Sequence, residues 1–551
     1  MPQIHHLWGR PFEQYIKSFK IEATRKRTGW QDEFEVEKAR KKAANVIQKM
    51  YRIAAEQEVV KSSNSKGFIT LTMLESINNL SYSPLTLADL SHTALISGCT
   101  KMMQLASTSL KSSIFSYEYG YLCLRIITIA TGMSLLVRSD RVSMALEEMI
   151  SDTDTDLVAI VSKHVSHMIE DKVVGSAHER EFDWLLGWLT PDDLPPQEPF
   201  ARRSDMWMLL NMLHANRKQL LIVIGSTYHL GLSGLMFVLW RYHCFDCLMK
   251  KLDGHSAEEF IPLFGDILWR YLPIAPTDQF VPLTIIYEQM GKLAELGNPT
   301  FIDIEDSRVI IRAYLARLSP IDPRFYSPLP VSAVSVLLLH IVTFLRPGCE
   351  DLIPDIFGVT IQRLWKAVVE SEVKTPVLVE AMRDELQTLC HYLSWLKIPT
   401  INKQIINRVV DEIAENDFVE LTLRVLLMLD MGVDETSAEF DLNGQYMAFS
   451  GTFFDLLGQV APEELIQESF SDLTLCLGNF ATFLRWRRTL AGATDGERTL
   501  IYATRGVPAL AGLDMVAGYV RVLYIATLDV RQRIGAAIDY KRDINNCAPG
   551  I

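Results

Sequence analysis

The stretch Leu220–Trp240, LLIVIGSTYHLGLSGLMFVLW, constrains the fold more than any other part of this chain. It runs 21 residues without Asp, Glu, Lys or Arg, with Arg217 and Lys218 before it and Arg241 after it. A helix of about 20 apolar residues crosses a bilayer, so the run is either a membrane span or core material. Its centre decides between them. Gly225, Ser226, Thr227, Tyr228, His229, Gly231, Ser233 and Gly234 crowd together there. Each glycine costs a helix interior ~1 kcal/mol relative to alanine, and Ser and Thr favour caps and turns. The pattern predicts two core helices, over 217–228 and 232–251, joined by a tight turn. The apolar pieces that remain are then too short to span. A second uncharged run, 327–345, opens with Pro328 and Pro330 and leaves a core helix of about 15 residues. Membrane association through Leu220–Trp240 is the alternative reading.

A chain of 551 residues holds several domains or one long repeat array. With 48% hydrophobic and 22% charged residues it has ample material for a core. Of the 8 cysteines only Cys244 and Cys247 stand close, which excludes a disulfide framework and points to a reducing compartment, the cytoplasm with the nucleus as an option. The first residues carry no apolar signal-peptide core. Charge is unevenly placed. Residues 1–66 carry 14 Lys and Arg against 8 Asp and Glu, whereas the remainder carries 40 against 59. So acidic a body argues against broad nucleic-acid binding, which needs many phosphate contacts. The basic arm has its own possible partners.

Along the chain the reading is helical almost throughout, which makes the fold class all-α. Four sections follow: a basic, partly helical arm at 1–66, a helical section at 67–188, a Pro-rich bend at 189–203 and a longer helical section at 204–551. Pro191, Pro195, Pro196 and Pro199 mark that bend; Pro273, Pro276 and Pro282 mark a second corner, and Pro320, Pro323, Pro328 and Pro330 a third. Helical stripes are clearest beyond the third corner. Ile361, Leu364, Trp365, Val368 and Val369 fall at i, i+3, i+4, i+7 and i+8, and Leu378, Met382, Leu386, Leu389 and Leu393 repeat the pattern. Ile401, Ile405, Val409 and Ile413 do so again, and Asn416-Asp417 is expected to cap the helix that follows. Pair starts near Val331, Pro376 and Asp417 give a period of roughly 40–46 residues. In this rhythm, over about 330–460, the chain resembles helical-repeat proteins of the HEAT and armadillo kind. The resemblance implies an irregular α-solenoid of stacked helix pairs and, by analogy of fold, a surface that binds other proteins.

The local motifs carry little chemistry. Cys244-Phe-Asp-Cys247, with His243 beside it, has the spacing of half a zinc site, but no second pair completes four ligands. His164 and His167, with Glu170 and Asp171, share a helix face that reads as solvated. The stretch 439–444, EFDLNG, resembles the front of an EF-hand loop, yet Ser450 stands where a bidentate Glu is required, so an inter-helix loop turning at Asn443-Gly444 is expected. No metal, cofactor-binding or catalytic residue emerges. An enzyme whose site is assembled across distant helices would leave no local trace.

The arm is sharper. Lys26 and Arg27, then Lys38, Arg40, Lys41 and Lys42, resemble a bipartite nuclear-localisation signal for an importin. Directly after them, Ile47, Gln48 and Arg52 match the opening of a calmodulin-binding IQ motif, though Ile53 replaces its glycine and Gln57 its later basic residue. The competing expectation is a surface helix docked on the body through Val46, Ile47, Met50 and Ile53. The weakness of surface ion pairs favours presentation of the arm to a partner over docking by charge alone. Taken together, the chain reads as a protein-interaction scaffold.

Overall fold

The computed structural model describes residues 4–17, 33–55, 69–110, 112–152, 155–174, 185–188, 197–227, 231–253, 260–293, 302–319, 328–370, 374–398, 402–429 and 437–470. Among the described residues the chain is all-helical, 84% helix with no strand. It forms two compact units: residues 1–302 with 320–328, and residues 303–319 with 329–551. Of the Pro-rich stretch at 189–203, residues 197–203 are described and belong to the first unit; Pro191, Pro195 and Pro196 lie outside the described residues.

The first unit contains α1 (Glu33–Ala55), α2 (Leu71–Asn78), α3 (Thr93–Ser109), α4 (Glu118–Arg138), α5 (Val142–Ser151), α6 (Leu157–Val174), α7 (Arg203–Ala215), α8 (Arg217–Thr227), α9 (Leu232–Asp253), α10 (Phe260–Tyr271) and α11 (Thr277–Leu293). Its axis is α4, which has α2, α3, α6 and α9 as neighbours. Nearly every α4 side chain from Glu118 to Leu136 is buried, as a helix apolar on all sides requires. It is also the helix long and apolar enough to cross a membrane among the described residues, and 94% of that window is covered by protein. Leu220–Trp240, by contrast, is divided between α8 and α9. The break falls where the glycine-rich centre placed it. Gly231 sits at φ +90°, a conformation side-chain-bearing residues rarely adopt.

The start of α9 is sealed by a buried polar chain. Gln279 Oε1 accepts from the Ser233 amide at 3.0 Å and from the Tyr271 hydroxyl at 2.6 Å. Its Nε2 donates to Ser162 Oγ at 2.7 Å, which donates in turn to Asp278 at 3.0 Å. Burial raises the Asp278 carboxyl above its ordinary range. The second proline corner is confined to residues 272–276, a 3-10 turn and the two residues before α11. Pro282 does not break the chain: it lies inside α11. Thr284 Oγ1 donates to the Phe280 and Val281 carbonyls at 3.1 and 2.8 Å, beside the ladder bond that proline cannot make.

Residues 4–17 are built into this unit. Trp8, Phe12 and Tyr15 are buried, and the Glu118 and Tyr119 amides donate to the Arg10 and Trp8 carbonyls at 3.0 and 3.3 Å. Arg10 Nε pairs with the buried Glu118 carboxylate at 2.8 Å while the Arg10 amide donates to its other oxygen at 2.7 Å. Gly9, at φ +80°, fits because any Cβ there would strike that carboxylate.

The second unit contains α12 (Ile304–Leu318), α13 (Val331–Phe344), α14 (Ile353–Val369), α15 (Thr375–Leu396), α16 (Lys403–Glu415), α17 (Phe418–Met428), α18 (Ala438–Val460) and α19 (Glu463–Ser469). From α12 to α16 alternate helices are neighbours, and α18 and α19 continue the two series past α17. In one series α13 packs on α15 and α15 on α18; in the other α12 packs on α14, α14 on α16 and α16 on α19. The stripe Leu378, Met382, Leu386, Leu389 and Leu393 is buried throughout, whereas Val369 ends its own stripe 67% exposed. Asn416-Asp417 is a junction but not the expected cap. Asp417 takes a left-handed conformation, φ +50°, with no side-chain bond into α17, and the Asn416 carbonyl accepts from Trp365 Nε1 at 2.7 Å. The expected loop at Asn443-Gly444 is helix instead. Both residues lie inside α18, whose start is capped by Ser437 Oγ accepting from the Phe440 amide at 3.1 Å. Glu439 and Asp441 in its first turn suit the positive end of the helix dipole.

Candidate functional site

Seven of the nine sequence-predicted residues lie on α1, and a groove runs along this helix. This helix forms because acids at its start meet bases one turn on. Lys38 pairs with Glu35 at 3.1 Å, and Arg40 and Lys41 with Glu37 at 3.3 and 3.9 Å. Val36, Ala43, Val46, Ile47, Met50 and Ile53 line one face, and all are buried against the body, where α2 and α3 are neighbours. The C-terminal carbonyls are captured by cations from elsewhere in the unit. Lys101 Nζ, itself buried, donates to Ile53 and Ala54 at 3.1 and 3.0 Å, and Arg202 donates to Ala55 at 3.1 Å. Positive charge at that end also complements the helix dipole.

Beside this docked face, the next edge of α1 looks across at Leu80, Asp89 and His92 and encloses about 300 Å3. Ala44, Ile47 and Leu80 supply the apolar lining. Arg40 bounds one end: its Nε pairs with Asp89 at 2.7 Å and its Nη2 donates to the Leu85 carbonyl at 2.7 Å. At the other end the Tyr51 hydroxyl meets His92 Nδ1 at 3.1 Å, with the two rings edge to face. Burial, with Glu198 nearby, raises the Tyr51 phenol above its ordinary value, so it stays protonated. A protonated phenol and a guanidinium can each donate hydrogen bonds into the groove.

No family profile and no curated protein matches this chain.

The helix parts the sequence-predicted residues onto different faces. Arg40 lies in the groove, Gln48 is on its rim and Ile47 is buried beneath. Lys38, Lys41, Lys42 and Arg52 point outward and are exposed. Lys26 and Arg27 lie outside the described residues. An importin takes its signal as extended chain, and residues 38–42 are helical here. An IQ-type partner clasps the apolar face, and Ile47 is committed to the body. The docked helix therefore corrects the expectation of an arm presented freely.

Other sequence candidates disperse. His164 pairs with Glu148 at 2.8 Å, a carboxylate also held by Lys163 at 2.9 Å, while Asp171 pairs with Arg141 at 2.9 Å. His243 is buried and stacks on Phe260 with ring centroids 4.9 Å apart; the Cys247 side chain lies outside the described residues. Among the described residues no three His, Cys, Asp or Glu side chains gather as a metal site. Sequence reading missed Tyr51, Asp89, Leu80 and His92. Tyr51 and His92 stand 41 residues apart, so no local spacing could join them.

Proposed function

We propose that this protein is an interaction scaffold whose second unit is an irregular α-solenoid. The alternation of helices between two series carries the reading: α13, α15 and α18 follow one another in space, as do α12, α14, α16 and α19. Stacking of that kind spreads one continuous face over several helices, and such faces bind other proteins. Val336 and Leu339 on α13 and Val377 on α15 keep large apolar side chains exposed, as a protein-binding face needs. In the first unit the α1 groove offers a smaller, more polar surface. The cytoplasm or nucleus is the proposed location, on the scattered cysteines. No observation among the described residues favours the membrane or enzyme readings.

The test is affinity capture with the full chain and with a Val336→Glu, Leu339→Glu variant. Exposed positions tolerate such changes, so the variant should keep its thermal transition while losing stoichiometric partners. Identical partners for both proteins would remove α13 from the binding face.

A further inference from the structure

We propose that the α1 groove binds a short acidic peptide segment carrying one large apolar anchor. This rests on the scaffold reading and names the partner class for its first-unit surface. The groove's volume, about 300 Å3, admits one side chain of Leu or Phe size, and its lining of Ala44, Ile47 and Leu80 is apolar. Arg40 is already committed to Asp89, so it shapes the groove rather than attracting charge.

The charge for the partner comes from the neighbouring face. From Lys38 to Arg52, α1 holds six cations and no acid. Lys38 is paired with Glu35 at 3.1 Å, whereas Lys41 is held only at 3.9 Å by Glu37, and Arg52 is exposed with no carboxylate within ion-pair reach among the described residues. Lys41 and Arg52 lie ~16 Å apart along the helix, the reach of about five extended residues. Lys41, Gln48 and Arg52, at i, i+7 and i+11, share the edge of α1 beside the groove, so an anchor seated beside Ala44 lets acids on either side meet Lys41 and Arg52.

Length and surroundings separate this partner from other polyanions. A nucleic acid or a lipid surface would extend past one helix face onto a body whose residues beyond 66 hold 59 acids against 40 Lys and Arg. A compact peptide meets the cations alone. At the groove's end the Tyr51 and His92 rings favour an aromatic anchor.

The experiment follows fluorescence anisotropy of a labelled peptide of roughly ten residues, Glu and Asp around a single central Phe, titrated with the full chain. Saturable binding is expected, weakened about tenfold by Phe→Ser in the peptide. Ala44→Trp, which fills the groove from an exposed position, should weaken it similarly, as should Lys41→Glu with Arg52→Glu. All variants should keep the wild-type melting temperature. Equal affinity of the anchorless peptide, or no effect of Ala44→Trp, overturns the proposal. So does displacement of the peptide by a single-stranded oligonucleotide or by phosphatidylserine vesicles of matched charge. Peptide failure alongside captured partners that the α13 variant loses would sink this inference and leave the scaffold reading standing.

Discussion

Glu385 is a carboxyl whose ionisation burdens the second unit. It is 0% exposed on α15, accepts one hydrogen bond from Ser335 Oγ at 3.1 Å, and leaves its other oxygen unpaired. Desolvation raises its carboxyl well above the ordinary range, Asp384 adds to the rise, and Ser335 and Arg363 only partly oppose it. A carboxyl raised on folding contributes stability below the unfolded value of about 4.3 and loses it as pH climbs toward the folded value. Glu385→Gln should therefore flatten that slope and raise the melting temperature at neutral pH. An unchanged pH profile would show the carboxylate is accommodated. His340 acts on the other side. Desolvation lowers its imidazole to about 3, so its stability contribution is full above about 6.5 and is lost as pH falls. His340→Leu should make unfolding less acid-sensitive, read as a smaller drop in melting temperature between neutral and mildly acidic buffer. Neither residue announces burial by type; both depend on which helix lands opposite.

At the scale of elements, α1 and residues 4–17 are part of the core, so deletion of residues 1–66 should lower the melting temperature or aggregate the protein. Burial of Trp8, Phe12 and Tyr15 is worth ~1.5–3 kcal/mol each. Glu118 would lose its partner besides, a loss set against a typical total of about 5–15 kcal/mol. Unchanged stability of the truncated protein would contradict this packing. Replacing Lys26, Arg27, Lys38, Arg40, Lys41 and Lys42 by alanine should leave localisation unchanged, since 38–42 are helical; a loss of nuclear protein would restore the importin reading. What was legible here is what periodicity controls: the α15 stripe is buried as read, and the Leu220–Trp240 run breaks at its glycines. Residues 4–17 have no period, and only the distant Glu118 gives them a place. At 439–444 the turn preference of Asn-Gly yields to a capped helix, with Tyr446, Met447, Phe453, Phe454 and Leu457 buried behind it.

For the whole molecule, two compact units imply that residues 303–551 should fold when expressed alone. A single cooperative transition by circular dichroism is expected; a non-cooperative melt would tie the second unit to the first. The groove was half legible, because α1 is one continuous helix and its far wall is not. The pairing of Arg10 with Glu118 has a consequence for synthesis. It joins residues 108 apart, so the segment carrying Trp8, Phe12 and Tyr15 leaves the ribosome long before α4 exists. At ~5–20 residues per second those aromatic side chains wait about 5–20 s without their partner. A nascent chain of this protein should therefore engage holding chaperones early, and release them once α4 has emerged.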